Sequence, residues 1–301
     1  NRLNLEVTYY DKQTRNNIQN LSLSPSTGYS SIPSNLAQLQ NRGWELSLSG
    51  TVVQKENIRW TSRVMWWRNN LLLKELGIPA YNAGGFGATL GTFLYQAGFS
   101  PTTIVGTRPR RLLPDGSQDP NDTPANEGVL TGAYILGNGQ PDFQMSWFNE
   151  INFLKHFDLN FLWHWKQGGD NINLSQFLTD SGGTTPGWFG DDDGDGKPNG
   201  RDRGIDPNNG ADRWVQDASY IRLREAALYY NFPQTKVNNW FNNKVSRIRI
   251  GFSAQNPLTF SKYFGYDPET STFGIQAVQS GVDISPYPTQ RRYFGHLVFE
   301  F

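Results

Sequence analysis

Residues Arg291 to Phe301 read R-R-Y-F-G-H-L-V-F-E-F and give the first indication of the fold. Its side chains alternate in character with a period of two, which is the period of a β-strand. Because chain ends usually fray in water, a strand that keeps its apolar alternation to the last residue indicates an end held by neighbours in apolar surroundings. The last strand of an outer-membrane β-barrel fits this description, and the edge strand of a soluble sandwich is the alternative. The apolar face of this strand consists of Tyr293, Gly295, Leu297, Phe299 and Phe301.

The same alternation recurs along the chain and predicts an all-β protein. Residues 44–53 and 58–66 alternate around a short polar turn at Gln54 to Asn57, which predicts a hairpin of long strands. Residues 157–166 and 247–253 alternate in the same way. We expect about ten antiparallel strands, with boundaries placed to within about 2–4 residues. They begin near residues 3, 16, 42, 57, 140, 155, 171, 217, 245 and 289.

Connections of two kinds separate these strands. The turns at Gln54 to Asn57 and around Lys155 and His156 are short, whereas Leu76 to Tyr134 and Leu178 to Asp217 are long and rich in Gly, Pro, Asp and Asn. Outer-membrane barrels have short periplasmic turns and long external loops. The pattern therefore favours a transmembrane β-barrel over a soluble sheet with one solvated face.

Composition narrows the possible functions. The 27 basic and 27 acidic side chains cancel, which argues against a nucleic-acid partner. The chain has 0 cysteines, which excludes thiol catalysis and cysteine-ligated zinc. No apolar run reaches the ~20 residues of a membrane-spanning helix, and no signal peptide is visible.

The first residues raise the question of what precedes them. The chain begins with Asn1 rather than Met and enters a strand at Leu3 without a preceding turn. An unpaired strand edge is not tolerated in lipid. We therefore expect residues 1–301 to be the C-terminal portion of a larger barrel, or a processed chain.

Five motifs follow one another along the chain. They are N-R-G-W-E-L-S-L-S-G (41–50), L-G-N-G-Q-P-D-F (136–143), D-A-S-Y-I-R-L-R-E-A-A-L-Y-Y-N-F-P (217–233), S-A-Q-N-P-L-T-F-S-K-Y-F-G-Y-D-P-E (253–269) and Y-P-T-Q-R-R (287–292). Together they resemble the C-terminal barrel of the SusC-like TonB-dependent transporters. The order and spacing match the family across essentially the whole chain, and only Leu76 to Tyr134 departs from it.

The resemblance implies a barrel of about 22 strands with a plug domain, of which this chain would supply about ten C-terminal strands. It implies multi-pass residence in the bacterial outer membrane and TonB-dependent import of a bulky nutrient, an oligosaccharide or a peptide, rather than enzymatic activity. Implied partners are a SusD-like surface lipoprotein, TonB–ExbB–ExbD acting through the missing N-terminal part, the outer-membrane assembly machinery and outer-membrane lipid. The assembly machinery would read Tyr293, Leu297, Phe299 and Phe301 as its signal.

One loop has the spacing of a calcium site. The stretch D-D-D-G-D-G-K-P-N-G-R-D places oxygen donors at alternate positions of a twelve-residue loop, with Gly196 at the sharp turn. Asp202 stands where a bidentate Glu is usual, and an acidic loop without metal is the alternative. The predicted structural Ca²⁺ ligands are Asp191, Asp193, Asp195, Lys197 (backbone carbonyl), Asn199 and Asp202.

Other candidate sites are weaker. Trp188 and Phe189 follow a glycine pair in a loop and could contact a substrate. Asp267 and Glu269 are near each other, as a glycosidase pair would be, but the G-Y-D-P stretch around Asp267 is better explained as a turn. The three His residues lie singly, without metal-ligand spacing, on strands or in a turn. The rival functions are a soluble β-rich carbohydrate-binding or adhesin domain and a β-rich hydrolase.

Overall fold

A computed structural model describes residues 2–22, 24–190, 196, 199–200, 210–273 and 280–301. The α-helices that lie wholly within these residues are α1 (Leu174–Ser181) and α2 (Gln234–Phe241), and they accompany fifteen strands. The strands are β1 (Leu3–Ser22), β2 (Ser31–Lys55), β3 (Ile58–Leu76), β4 (Tyr81–Ala83), β5 (Thr92–Tyr95), β6 (Thr103–Gly106), β7 (Tyr134–Asn138), β8 (Pro141–Phe153), β9 (Phe157–Gly168), β10 (Asp170–Asn173), β11 (Val215–Asp217), β12 (Tyr220–Asn231), β13 (Arg247–Ser261), β14 (Val282–Asp283) and β15 (Arg292–Glu300).

Eight long strands form one antiparallel sheet in the order β1-β2-β3-β8-β9-β12-β13-β15. Each strand pairs with the next long strand along the chain, so the sheet is an up-and-down meander. The other strands form a four-stranded sheet, β4-β5-β6-β7, and a three-stranded sheet, β11-β10-β14. The prediction of an all-β antiparallel fold is confirmed.

The register puts apolar side chains in continuous rows across one face of the eight-stranded sheet, which we call the apolar face. Neighbouring strands align Leu48 with Val64, Trp147 with Trp163, and Leu223 with Leu258. Large apolar side chains on this face remain exposed, unlike those of a soluble core. Examples are Leu5 at 63%, Leu48 at 43%, Leu258 at 47%, Phe252 at 55% and Leu297 at 63% exposure.

Aromatic rings gather on the apolar face near both ends of the strands. At one end Phe143 lies 5.0 Å from Trp165 between ring centroids, and at the other end Phe157 lies 4.9 Å from Tyr230. From Phe157 to Trp165, β9 rises about 26 Å at ~3.3 Å per residue. A barrel tilt of ~40° reduces this to a height of about 20 Å, close to the ~25 Å apolar band between aromatic girdles of outer-membrane barrels.

Three of the ten expected strand starts need correction. The start near residue 42 lies well inside β2, which begins at Ser31, because residues 31–41 show no clear alternation. The starts near residues 3 and 16 belong to the single strand β1. Asn16 adopts a left-handed φ of 56° and interrupts the pairing with β2 only locally, because the pairing resumes at Asn17. The start near residue 171 is β10, which lies in the three-stranded sheet. The main sheet therefore has eight strands among the described residues.

The two predicted short turns lie at one end of the sheet, and the described parts of the two predicted long loops lie at the other. Residues 56–57 and 154–156 are short turns, and 232–246 contains α2; all three lie at one end of the sheet, the turn end. The described residues of 77–140, 169–219 and 262–291 lie at the other end, the loop end. The stretch Leu76 to Tyr134, expected to be a long loop, contains most of the four-stranded sheet.

The three long connections pack into one body around a shared hydrophobic core. Phe93 and Ile104 come from the first connection, Ile172 and Leu174 from the second, and Val282 from the third. All five are at most 3% exposed. The loop end is therefore a packed layer on top of the sheet.

No helix among the described residues combines the length and the apolar character that crossing a membrane would need.

Candidate functional site

The face opposite the apolar face, which we call the polar face, carries the candidate site. Across β1, β2 and β3 it forms a groove of about 540 Å³. Carboxylates (Glu6, Glu45), a guanidinium (Arg63) and an indole (Trp67) line this groove. Such a surface offers charged, hydrogen-bonding and stacking contacts to a polar ligand.

Near the loop end, Arg222 joins the polar face of β12 to the third long connection. Its side chain is only 2% exposed, and it donates to Thr259 Oγ1 at 3.0 Å and to Glu269 Oε2 at 2.6 Å. It also donates to Asp267, which is 4% exposed. Arg224 and the Tyr220 hydroxyl donate to Glu269 as well. We call Tyr220, Arg222, Arg224, Asp267 and Glu269 the arginine–carboxylate cluster.

A β-bulge fits this cluster into the sheet. Opposite β9, Leu223 pairs with Trp163 and Glu225 pairs with Leu162, so Arg224 is an extra residue. The bulge keeps Glu225 on the polar face and returns the following apolar residues to the apolar face. Without it, the Glu225 carboxylate would point into the apolar surroundings of the other face.

Electrostatics make the cluster a fixed ion-pair site. Burial by itself would raise the pKa of Glu269, but hydrogen bonds from Arg224 and Tyr220 and the nearby positive charges lower this pKa to about 2. Glu269 is therefore an anion at any ordinary pH. An anion so fully paired suits a structural anchor and not a general acid.

A second buried ion pair orders the first long connection. Arg108 makes two hydrogen bonds to Asp122, at 2.7 and 2.6 Å, and one of 2.9 Å to Glu127. The Arg108 guanidinium also lies 4.2 Å from the centre of the Tyr134 ring. Hydrogen bonds from Arg108 and from the Arg111 backbone hold the pKa of Asp122 well below its usual range. This arrangement closes residues 108–134 into an ordered loop.

The predicted calcium loop falls largely outside the described residues. Asp191, Asp193, Asp195, Lys197 and Asp202 are outside them. Asn199 is described, and its backbone N–H donates to the Gly190 carbonyl at 2.7 Å. The described residues contain no group of three metal-ligating side chains. The Ca²⁺ site stays a prediction from the sequence.

The predicted substrate-contacting aromatics lie beside that loop. Trp188 ends a 3₁₀-helix, Pro186–Trp188, and its ring lies over Gly183, 3.2 Å from where a Cβ would be. Phe189 is 83% exposed. Exposure is compatible with ligand contact, but their role stays a prediction.

The C-terminal strand occupies one edge of the sheet. Tyr293, Leu297 and Phe299 pair with Ala254, Ile250 and Ile248 of β13, which places all three on the apolar face. Phe301 follows the strand and is 92% exposed. Within the described residues β15 pairs with β13 alone. The placement is as predicted, and the role of these residues as an assembly signal stays a prediction.

The arginine–carboxylate cluster was missed from the sequence. Asp267 and Glu269 were assigned to a turn, but their charges pair with Arg222 and Arg224, far upstream. One signal was readable. The apolar positions of β12 change parity, from 221 and 223 to 228 and 230, and this change marks the bulge.

Known proteins similar to this chain are TonB-dependent receptors. No family model matches the chain. It is 27% identical to TonB-dependent receptor P3 of Formosa agariphila over 100% of the chain and 32% of the receptor, and 25% identical to receptor P26 of the same organism over 95% of the chain. A segment covering 30% of the chain is 31% identical to TonB-dependent receptor SusC of Bacteroides thetaiotaomicron. The chain spans about a third of the length of the first two relatives.

Solved structures show the same fold. The RagAB peptide importer in its closed-closed state matches 99% of the chain with a TM-score of 0.72 and 19% identity, over 33% of its own chain. The open-open state gives a TM-score of 0.71. The relatives are named as receptors and the solved structure as an importer, and none of these names is that of an enzyme. The resemblance to SusC-like TonB-dependent receptors is therefore confirmed, and the fold of this chain is a section of their β-barrel.

Proposed function

We propose that residues 1–301 are the C-terminal portion of an outer-membrane transporter that imports a bulky nutrient, an oligosaccharide or a peptide, with energy delivered through TonB. The apolar face contacts lipid and the polar face lines the lumen. The plug and the remaining strands of the barrel belong to other parts of the protein.

The observation that carries this proposal is the exposed apolar face. It is continuous across all eight strands, lies between aromatic groups at both ends, and ends in a packed layer of loops on one side only. In water this face would be a very large exposed apolar patch. In a bilayer it is the surface that lipid requires.

The proposed partner at the loop end is a SusD-like surface lipoprotein. Two observations support it. The long connections form a packed body rather than separate loops. A solved protein of the same fold is described as the RagAB peptide importer, in closed-closed and open-open states. TonB–ExbB–ExbD would act through the plug, and the outer-membrane assembly machinery on β15.

The test is uptake by cells that make the full-length protein. Labelled oligosaccharides and labelled peptides are supplied to cells with and without functional TonB, and the membranes are fractionated. We expect the protein in the outer-membrane fraction and accumulation of one ligand class only when TonB is functional. A protein that stays monodisperse in buffer without detergent would overturn the proposal in favour of a soluble binding domain.

A further inference from the structure

The segment Tyr263 to Glu269 follows β13 at the loop end and is fixed to the rest of the protein at nearly every residue. The Tyr263 hydroxyl donates to Asp283 at 2.8 Å, and the Phe264 N–H donates to Gln216 at 3.2 Å. The Pro268 carbonyl accepts from Asn171 Nδ2 at 3.1 Å. These partners belong to β11, β10 and β14, so the three-stranded sheet holds the segment from one side.

The arginine–carboxylate cluster holds the same segment from the other side. Arg222 contacts both Asp267 and Glu269, and Arg224 and Tyr220 contact Glu269. Because Arg222 lies on the polar face of β12, in register with His164 of β9, the segment is tied to the polar face.

Among the aromatic residues of this fixed segment Tyr266 is the most exposed, and Phe264, at 42%, is the second. Tyr266 is 92% exposed, whereas its neighbour Asp267 is 4% exposed and Tyr263 is 7% exposed. Within the described part of the chain, no hydrogen bond or ring contact involves the Tyr266 side chain. Several polar contacts therefore hold the backbone that carries this ring, while the ring itself makes no contact that holds the fold together.

A rigidly held, exposed aromatic ring is the form that ligand contacts take in preorganised sites. Aromatic rings supply a large contact area with few rotatable bonds, and fixing the backbone beforehand removes part of the entropic cost of binding. We infer that Tyr266 is a ligand-contacting residue at the lumen entrance, and that it binds the imported nutrient through an apolar C–H face.

This inference rests on the proposed function and adds a residue to it. Both a sugar ring and an apolar peptide side chain present such a face, so the ligand class is read from the uptake experiment. The surface lipoprotein is the competing partner for an exposed ring. The attachment of the segment to the polar face favours the ligand, because that face borders the lumen.

The experiment compares three variants in the full-length protein, in outer membranes of producing cells. Tyr266→Ala removes the ring, Tyr266→Phe keeps it, and Tyr287→Ala is the matched control, since Tyr287 is an 81% exposed tyrosine in the same connection. We expect about five- to tenfold weaker ligand binding for Tyr266→Ala, and near-native binding for the other two. Thermal unfolding should be unchanged in all three, because the substituted rings are exposed.

Three results would overturn the inference. They are native binding by Tyr266→Ala, an equal loss in Tyr287→Ala, and a loss of lipoprotein co-purification in Tyr266→Ala that accounts for its weaker uptake. Failure of the proposed function looks different, because the unsubstituted protein would then import neither oligosaccharide nor peptide.

Discussion

Leu48→Arg tests the assignment of the apolar face, because lipid and water give opposite results at this position. Leu48 lies on β2, paired with Leu5 on one side and Val64 on the other, and is 43% exposed. It is about 13 Å along the strand from Trp44 and the same distance from Val52, which puts it near the middle of the apolar band.

The expected cost follows from that depth. An Arg at the midplane of a transmembrane barrel destabilises it by about 2–4 kcal/mol, which lowers the folding equilibrium constant roughly 30- to 700-fold. If the same face were in water, an Arg at a half-exposed strand position would change stability by no more than about 0.5 kcal/mol.

The assay is chemical unfolding of the full-length protein in phospholipid vesicles, together with its abundance in the outer membrane. Ser47→Arg is the matched control, since Ser47 is the preceding residue, points to the polar face and pairs with Glu6. We expect a large loss of stability for Leu48→Arg and little change for Ser47→Arg. Equal and small effects of the two substitutions would refute the assignment of the apolar face to lipid.

Four further predictions concern the arginine–carboxylate cluster, the acidic loop and the C-terminal residue. Arg222→Met leaves the Asp267 carboxylate buried without its cation, so we expect a loss of about 3–5 kcal/mol in unfolding measurements and faster proteolysis within residues 262–273; an unchanged cleavage rate would contradict the anchoring role. The pKa of Glu269 is lowered from an ordinary value of 4.5 to about 2. The stabilisation that the ionised Glu269 gives the folded protein is therefore complete above the ordinary value and is lost as the pH falls through about 2. Pepsin should cut this connection slowly at about pH 4 and quickly near pH 2. Asp193→Ala with Asp195→Ala should abolish Ca²⁺ binding in calorimetry, and an unchanged metal content would disprove the site. Deletion of Phe301 should lower the amount of protein in the outer membrane without affecting its synthesis, as measured by fractionation against total protein.

The main sheet could be predicted because its signals are local. Residues 44–66 alternate cleanly around a polar turn, and the structure pairs Leu46 with Trp66 as a hairpin requires. The exception within a strand also has a local cause. Asn16 bends β1 at a left-handed φ, which broke the alternation and made one strand resemble two.

The loop end could not be predicted to the same degree, because its order comes from contacts between residues far apart. Its strands are short; β14 covers only Val282–Asp283 and pairs with β10 in parallel. No periodic pattern is long enough to identify such an element. The turn at Asp267 was recognised, but the buried arginine that binds it lies 45 positions upstream, and one sequence carries no signal for that pairing.

The arginine–carboxylate cluster is an expensive way to attach a loop. Removing Arg222 and Asp267 from water costs several kcal/mol per ion, and well-packed apolar side chains of similar size often stabilise a protein as well or better. An ion pair of this kind instead fixes the relative orientation of the two segments that it joins, because a guanidinium fits its carboxylates in few geometries. Stability alone therefore does not account for the cluster. A need to hold residues 263–269 in one position over the polar face does, and Tyr266 is the side chain that this position presents.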